Sequence, residues 1–211
     1  MTSAEFRERL HTRADLADVS LVPALVDKLE AYFRLLTHWN RRINLTALDL
    51  DAMAAASMDR LLIEPLAAAR YALRHQPVLD IGSGGGSPAL PFALAAEASE
   101  LTMVESRRRK SVFLREAAHA VGLDDAHVLT TRFEDASFSG KLTGRFAAVT
   151  ARAVRLEENN WPSLWSVLRP GGSIFYFHRR DAHANQSPIP VQPRIYQLTP
   201  DASVSIWMKS A

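Results

Sequence analysis

The sequence contains no cysteine, and no uninterrupted apolar run approaches the ~20 residues that a membrane-spanning helix needs. The lack of cysteine excludes disulfides, thiolate metal ligands and cysteine nucleophiles. Residues Met1 to Arg13 mix acids with arginines, so they lack the apolar segment of a signal peptide. We therefore expect a cytoplasmic protein that holds no metal and does not interact with membranes.

The sequence also has no large excess of basic or of acidic residues. The 25 Lys and Arg residues nearly balance the 23 Asp and Glu residues, which leaves a net charge of +2. A global basic field is therefore excluded, and any affinity for nucleic acid must come from local clusters. A chain of 211 residues can bury one good core, so we expect a single domain with an extension, acting as a monomer.

The stretch from Pro77 to Lys110 is the most informative part of the chain. Its apolar start is too short for a helix and predicts a buried strand, which ends in a run of glycines. An Ala/Leu-rich segment after Pro88 predicts a helix, and a second strand follows and ends at Glu105. Glycines let a ligand approach the backbone, and a carboxylate about 20 residues later can accept hydrogen bonds from ribose hydroxyls. The pattern predicts a site for a nucleoside-containing cofactor.

The spacing of the glycines favours one cofactor. A dinucleotide fingerprint would place its third glycine at position 87, where the chain has Ser87. The run Asp80-x-Gly82-x-Gly84-x-Gly86, with Glu105 at the end of the next strand, resembles the S-adenosylmethionine (SAM) methyltransferases of class I. An NAD site and a glycine-rich turn with no ligand remain the alternatives.

The segment before this stretch has helical periodicity. Apolar residues recur at helical spacing from Val22 to Trp39, with Ser20 as the expected N-cap, and a second helix is expected from about Asp51 to Leu73. We therefore divide the chain into an N-terminal α-helical extension, residues 1–75, and a SAM-binding methyltransferase domain, residues 76–211.

Beyond Lys110, strands and helices alternate. A helix is expected to end at Gly122, and another is expected within Leu156–Leu168. The expected strands are His127–Thr130, Arg145–Thr150, Ser173–Phe177 and an antiparallel pair, Arg194–Leu198 with Ser203–Met208, while residues 178–190 form a loop. This order predicts a Rossmann-like α/β fold with a mostly parallel sheet and helices on both faces.

Taken together, these motifs resemble the GidB family of bacterial methyltransferases. The resemblance covers Trp39 to about Phe177, and its ordered set of motifs is more specific than the glycine loop alone. The motifs are Trp39-Asn40 with Asn44-Leu45-Thr46, Leu79 to Pro88 with Pro91, Glu105-Ser106 with Arg109-Lys110 and Phe113-Leu114, Arg132 with Glu134, Arg152-Ala153, and Gly171-Gly172. The resemblance implies methyl transfer from SAM to N7 of a guanine in 16S ribosomal RNA, with that RNA or the small ribosomal subunit as partner.

The resemblance also implies roles for particular residues. The positions expected to bind SAM are Gly82, Gly84, Gly86 and Ser87 along its methionine, Glu105 at its ribose, Phe133 and Glu134 beside its adenine, and Arg152 between cofactor and substrate. The residues expected to face the RNA are Arg109, Lys110 and Arg132. For Arg132 the alternative is a surface ion pair with Asp135 or Glu134. For the basic run Arg107–Lys110 it is a solvated helix start.

Guanine N7 carries a free lone pair, so we expect no catalytic general base. The chain departs from the family pattern at Ala56, Arg60, Ser87, Ala89, His178 and Arg179. Several of these positions lie where RNA should approach. A SAM enzyme acting on a small molecule or another RNA, and a non-catalytic RNA- or nucleotide-binding module, therefore stay open.

Overall fold

The computed structural model describes residues 2–138, 140–154, 158, 160–180 and 190–211. Its centre is one seven-stranded sheet with the strand order β3-β2-β1-β4-β5-β7-β6. The strands are β1 (Pro77–Ile81), β2 (Glu100–Val104), β3 (Ala126–Leu129), β4 (Phe146–Arg152), β5 (Leu168–Arg179), β6 (Arg194–Thr199) and β7 (Ala202–Met208). The first five strands are mutually parallel, and β7 pairs antiparallel with both β5 and β6. The predicted α/β fold and the antiparallel terminal pair are confirmed.

Helices cover both faces of this sheet. They are α1 (Ser3–Leu16), α2 (Pro23–Asn40), α3 (Ala55–Met58), α4 (Glu64–Ala69), α5 (Ala89–Ala95), α6 (Arg108–Ala120), α7 (Phe133–Phe138) and α8 (Asn160–Val167). A π-helical turn, Asp59–Ile63, joins α3 to α4 without a break. The core under α1 to α6 contains Phe92 and Phe175, and the core under α7 and α8 contains Trp161 and Trp207. No helix in the described part of the chain is long and apolar enough to cross a membrane.

The helix predicted over Val22–Trp39 is α2, but its start differs from the prediction. Its first residue is Pro23, and its N-cap is Val22, whose side chain makes no capping bond. Ser20 was therefore the wrong N-cap. Val22 is extended (φ −92°, ψ 149°), as a residue before proline must be, and proline fixes its own φ at a helical value, so the helix begins at the proline.

The first helix, α1, has no counterpart in the sequence prediction. Thr2 accepts a hydrogen bond from the backbone N–H of Glu5, whose carboxylate accepts one from the N–H of Thr2, so a capping box starts the helix. Only Phe6, Leu10 and Ala14 of α1 are buried. This stripe is too narrow for a strong periodic signal, although the Phe6 ring packs 5.4 Å from the Phe33 ring of α2.

The second predicted helix is shorter than expected, because it begins at Ala55 and ends at Ala69. The helices of residues 3–69 bury their apolar side chains in the same core as β1, β4 and β5. Residues 156, 157 and 159 of the predicted helix after β4, and residues 181–189 of the predicted loop after β5, lie outside the described residues.

Candidate functional site

The glycine loop after β1 is packed tightly against its surroundings. Gly82 has φ +69°, and a Cβ there would lie 2.6 Å from Cγ2 of Val154. Gly86 has φ +84°, and a Cβ there would lie 2.9 Å from Cδ1 of Leu90. The phenol of Tyr32 donates to the carbonyl of Gly85 at 2.7 Å, which fastens the loop to α2. Side chains at positions 82 and 86 would therefore be strained by the positive φ and would crowd Val154 and Leu90.

Glu105 lies just beyond β2, and two backbone groups hold its carboxylate. It accepts a hydrogen bond from the N–H of Gly84 at 2.9 Å and one from the N–H of Arg107 at 2.7 Å. Each oxygen receives one of these bonds, so each retains a lone pair for a further donor. The side chain is thus a fixed acceptor between the glycine loop and the start of α6.

A cleft of about 190 Å³ opens at the carboxyl edge of the sheet, where β1, β2, β3 and β4 end. Its walls are Ile81, Gly82, Val104, Glu105, Ser106, Thr131, Arg132, Phe133, Glu134, Val154 and Asn160. Enclosed small-molecule pockets measure roughly 300–1,000 Å³, so this cleft can enclose only part of a SAM-sized ligand. Clefts at this edge are where open α/β sheets bind their ligands.

The cleft brings together five of the residues predicted to bind cofactor or substrate. They are Gly82, Glu105, Arg132, Phe133 and Glu134. Three polar wall residues, Ser106, Thr131 and Asn160, had no role in the sequence prediction. Asn160 donates to Oε1 of Glu134 at 3.1 Å, and this contact joins the starts of α7 and α8. The sequence alone could not reveal this contact, because 26 residues separate Asn160 from Glu134 and only the fold brings their loops together at the carboxyl edge of the sheet.

Gly84, Gly86, Ser87 and Arg152 do not line this cleft. Gly84 is next to it through its bond to Glu105. Ser87 turns toward the helical layer, where its hydroxyl donates to the carbonyl of Leu61 at 2.8 Å. These residues extend from the cleft along the glycine loop toward the π-helical turn.

Arg152 is buried beneath the glycine loop. Its guanidinium donates to Oε2 of Glu64 at 2.7 Å and to the backbone carbonyl of Arg60, and it lies 3.3 Å from the hydroxyl of Ser87. It also lies 4.6 Å from the centroid of the Phe177 ring. Burial lowers the pKa of Arg152 to about 10 and raises that of Glu64. Arg152 therefore binds the helical layer to the end of β4.

Asp80 is a further buried titratable group beneath the loop. One of its oxygens accepts a hydrogen bond from the hydroxyl of Thr150, and the other has no partner in the described part of the chain. Burial raises the pKa of Asp80 to about 7, and the bond from Thr150 opposes this shift. The carboxyl is thus poised to change its protonation near neutral pH.

The basic residues of the edge have no acidic partner in the part of the chain that the structure describes. Among the described residues, the side chains of Arg109, Lys110 and Arg132 make no hydrogen bond or ion pair, so the alternative pairing of Arg132 with an adjacent acid is not formed. The ammonium of Lys110 would lie 4.0 Å from a Cβ at Gly84. The described residues also contain no group of three His, Asp or Glu side chains able to hold a metal.

The strand order and the loop define a class of protein, the Rossmann-like methyltransferases. Among solved structures, the chain resembles a SAM-dependent methyltransferase from Aquifex aeolicus, with a TM-score of 0.54 and 13% identity over 72% of this chain and 92% of that one. It also resembles a tRNA (m1A58) methyltransferase from the same organism, with a TM-score of 0.50 and 14% identity over 69% and 66% of the two chains. At these identities the likeness establishes the fold.

The sequence places the chain within this class. Residues 25–194 match the model of the GidB family, described as rRNA small subunit methyltransferase G. A ribosomal RNA small subunit methyltransferase G from Halorhodospira halophila is 34% identical over 80% of this chain and 76% of its own length. The protein of that name from Stenotrophomonas maltophilia is 32% identical over 88% of this chain and 84% of its own length. The chain belongs to the GidB family.

Proposed function

We propose that this protein transfers a methyl group from SAM to N7 of a guanine in 16S ribosomal RNA. Membership of the GidB family and the names of its relatives support the reaction and the substrate. The structural observation that carries the proposal is the Glu105 carboxylate, which two backbone N–H groups fix at the mouth of the cleft. A carboxylate held in this way suits the two hydroxyls of a ribose.

The cleft fits the adenosine half of SAM. Glu105 accepts hydrogen bonds from the ribose hydroxyls, and the adenine lies between the ring of Phe133 and the carboxylate of Glu134. The methionine half then extends over the glycine loop, past Gly82, Gly84, Gly86 and Ser87. This division agrees with a cleft that is too small for the whole cofactor.

Bound SAM supplies an electrophilic methyl group on a sulfonium centre. Guanine N7 needs no deprotonation, so the protein has to align the two reactants rather than move a proton. Arg152 serves this alignment by holding Ser87 and the π-helical turn together at the methionine end. Arg109, Lys110 and Arg132, which lack acidic partners in the described chain, hold the phosphates of the RNA.

The proposal extends to the organisation of the protein. Residues 76–211 carry the cofactor site. The helical residues 1–75 support the glycine loop directly through Tyr32, and through Arg60 and Glu64 by way of Arg152. We propose that the protein works as a cytoplasmic monomer. Size-exclusion chromatography with light scattering tests the oligomeric state, and a mass near 23.4 kDa is expected.

The decisive experiment maps methylated bases in 16S ribosomal RNA from cells with and without this protein. One N7-methylguanine should disappear in its absence and return with the wild-type gene, but not with a Glu105→Ala gene. An unchanged RNA, combined with SAM binding by the purified protein, would favour a small-molecule or different RNA substrate. A protein that binds RNA but not SAM would support the non-catalytic module.

A further inference from the structure

Asn160 occupies an unusual place for an amide side chain. It is the first residue of α8, it is 8% exposed, and it forms part of the cleft wall. Its Nδ2 donates to Oε1 of Glu134, the second residue of α7. The bond therefore crosses the cleft rim from the loop after β4 to the loop after β3.

The bond controls the chemistry that Glu134 presents. A carboxylate accepts hydrogen bonds and cannot donate them while it is ionised. An amide N–H bonded to one oxygen restricts rotation of the carboxylate. Glu134 lies at the exposed rim of the cleft, and this bond ties its side chain to the start of α8.

Adenine is a nucleobase that can donate a hydrogen bond to the Glu134 carboxylate in the cleft wall. Its exocyclic amino group is a donor, whereas hypoxanthine carries a carbonyl oxygen at the same position. A carboxylate facing that oxygen sets acceptor against acceptor, so the hydrogen bond that adenine donates is lost. Sites built to bond one polar group reject an analogue that lacks it much more strongly than apolar pockets reject a change in size.

We propose that Asn160 is a positioning residue that fixes Glu134 as the acceptor for the adenine amino group and so makes the site selective for adenosine cofactors. This inference rests on the proposed function, because it assumes that adenine occupies the cleft. Asn160 acts through Glu134, so its removal should reduce discrimination between nucleobases more than it reduces general affinity.

The test compares two ligands by calorimetry, S-adenosylhomocysteine and S-inosylhomocysteine, in which oxygen replaces the amino group. The wild-type protein should prefer the adenosyl ligand by about tenfold or more. Asn160→Ala should bind the adenosyl ligand several-fold more weakly and the inosyl ligand nearly as before, which narrows the ratio. Asn160→Asp, which keeps the size of the side chain but sets a second acid against Glu134, should narrow it too.

Two controls separate positioning from folding. Ser166→Ala removes a side-chain hydrogen bond elsewhere on α8, from Ser166 Oγ to the carbonyl of Ser163 at 2.8 Å, and should leave the ratio unchanged. Glu134→Ala should abolish most of the preference, and adding Asn160→Ala to it should have no further effect. Thermal unfolding of each variant confirms that it is folded at the temperature of the measurement.

The outcomes are distinct. Equal weakening of both ligands by Asn160→Ala, or an unchanged ratio, would overturn the inference, because Asn160 would then only shape the start of α8. Failure of the wild-type protein to bind S-adenosylhomocysteine at all would instead overturn the proposed cofactor site. A narrowed ratio that depends on the presence of Glu134 supports the inference.

Discussion

At the scale of single residues, Glu105 has the best-defined role in the proposed cofactor site. The residue is 7% exposed, and backbone donors from two different loops hold its carboxylate. The side chain therefore needs little ordering when a ligand binds, and preorganised acceptors bind at a lower entropic cost than mobile ones.

Replacing Glu105 with alanine should weaken SAM binding by about 1–3 kcal/mol, because the ribose hydroxyls lose their charged acceptor. Isothermal titration calorimetry measures the change. Glu100→Ala is the matched control, since Glu100 begins the same strand at the opposite edge of the sheet and pairs there with Arg145. Undiminished affinity in Glu105→Ala would remove this residue from the cofactor site.

Asp80 links the stability of the fold to pH. Its pKa is about 7 in the folded protein and 3.8 ordinarily, so the folded state binds more protons between these values. Stability from this group is therefore fully present below pH 3.8 and is lost as pH rises through 7. The protonated form also suits the buried oxygen that lacks a partner in the described chain.

Asp80→Asn should consequently flatten the pH dependence of stability. From pH 5 to pH 8 the wild-type protein should lose roughly 2–3 kcal/mol more unfolding free energy than the variant. Urea unfolding at several pH values measures this difference, and the other titrating groups, common to both proteins, cancel in the comparison. Parallel pH profiles would mean that Asp80 stays ionised in the folded state.

At the scale of elements, the Glu64–Arg152 pair connects α4 to the end of β4. Both side chains are at most 7% exposed, and Arg152 also bonds the carbonyl of Arg60 in the π-helical turn. Such turns often occur at functional sites. Here the turn directs a backbone carbonyl at the one cation buried beneath the glycine loop in the described structure.

Removing one partner of this pair should be strongly destabilising. Glu64→Gln leaves a buried, unpaired guanidinium and should lower the unfolding free energy by about 3 kcal/mol. The double variant Glu64→Leu with Arg152→Met should lower it by less than Glu64→Leu or Arg152→Met alone. Urea unfolding measures the unfolding free energies of the wild-type protein and of these variants, which form a double-mutant cycle. Arg41→Ala is the control, because the Arg41–Asp51 pair is 68% and 72% exposed and should contribute under about 1 kcal/mol. A Glu64→Gln cost no larger than that of the control would contradict a structural role.

The elements show which features the sequence could predict. Strands β1 to β5 each contain a short apolar stretch, and α2 and α6 repeat apolar residues at helical spacing, so local pattern reveals them. The helix α7 has only six residues, and its signal is too short. The Glu64–Arg152 pair joins residues 88 positions apart, so the inward direction of Arg152 depends on tertiary packing that no local pattern contains.

At the scale of the whole molecule, the net charge is nearly zero, but the charges are unevenly distributed. The net charge is +2, yet the start of α6 presents Arg107, Arg108 and Arg109 as exposed cations beside the proposed cofactor cleft. Uncompensated cations in the first turn of a helix oppose its dipole, which makes them costly unless an anion binds there. The carboxyl edge of the sheet is therefore the surface on which we expect RNA to lie.

Removing Arg109 and Lys110 together should flatten the salt dependence of RNA binding. Each cation that neutralises a phosphate contributes nearly one unit to the slope of log affinity against log salt, so the slope should fall by about 1 to 2 units. SAM affinity should change little if these side chains hold RNA alone. Filter binding of a 16S ribosomal RNA fragment at several salt concentrations measures the slope.

The matched control removes the same charge at the opposite edge of the sheet, by replacing Arg70 and Arg74. Arg74 pairs there with Glu97 beyond the end of α5, and Arg70 bonds the carbonyls after α1, far from the cleft. If both double variants change the slope equally, the effect is one of net charge. If only the Arg109/Lys110 variant changes it, the phosphates lie on α6. If neither changes it, the run at the start of α6 is a solvated helix end and other residues must hold the RNA.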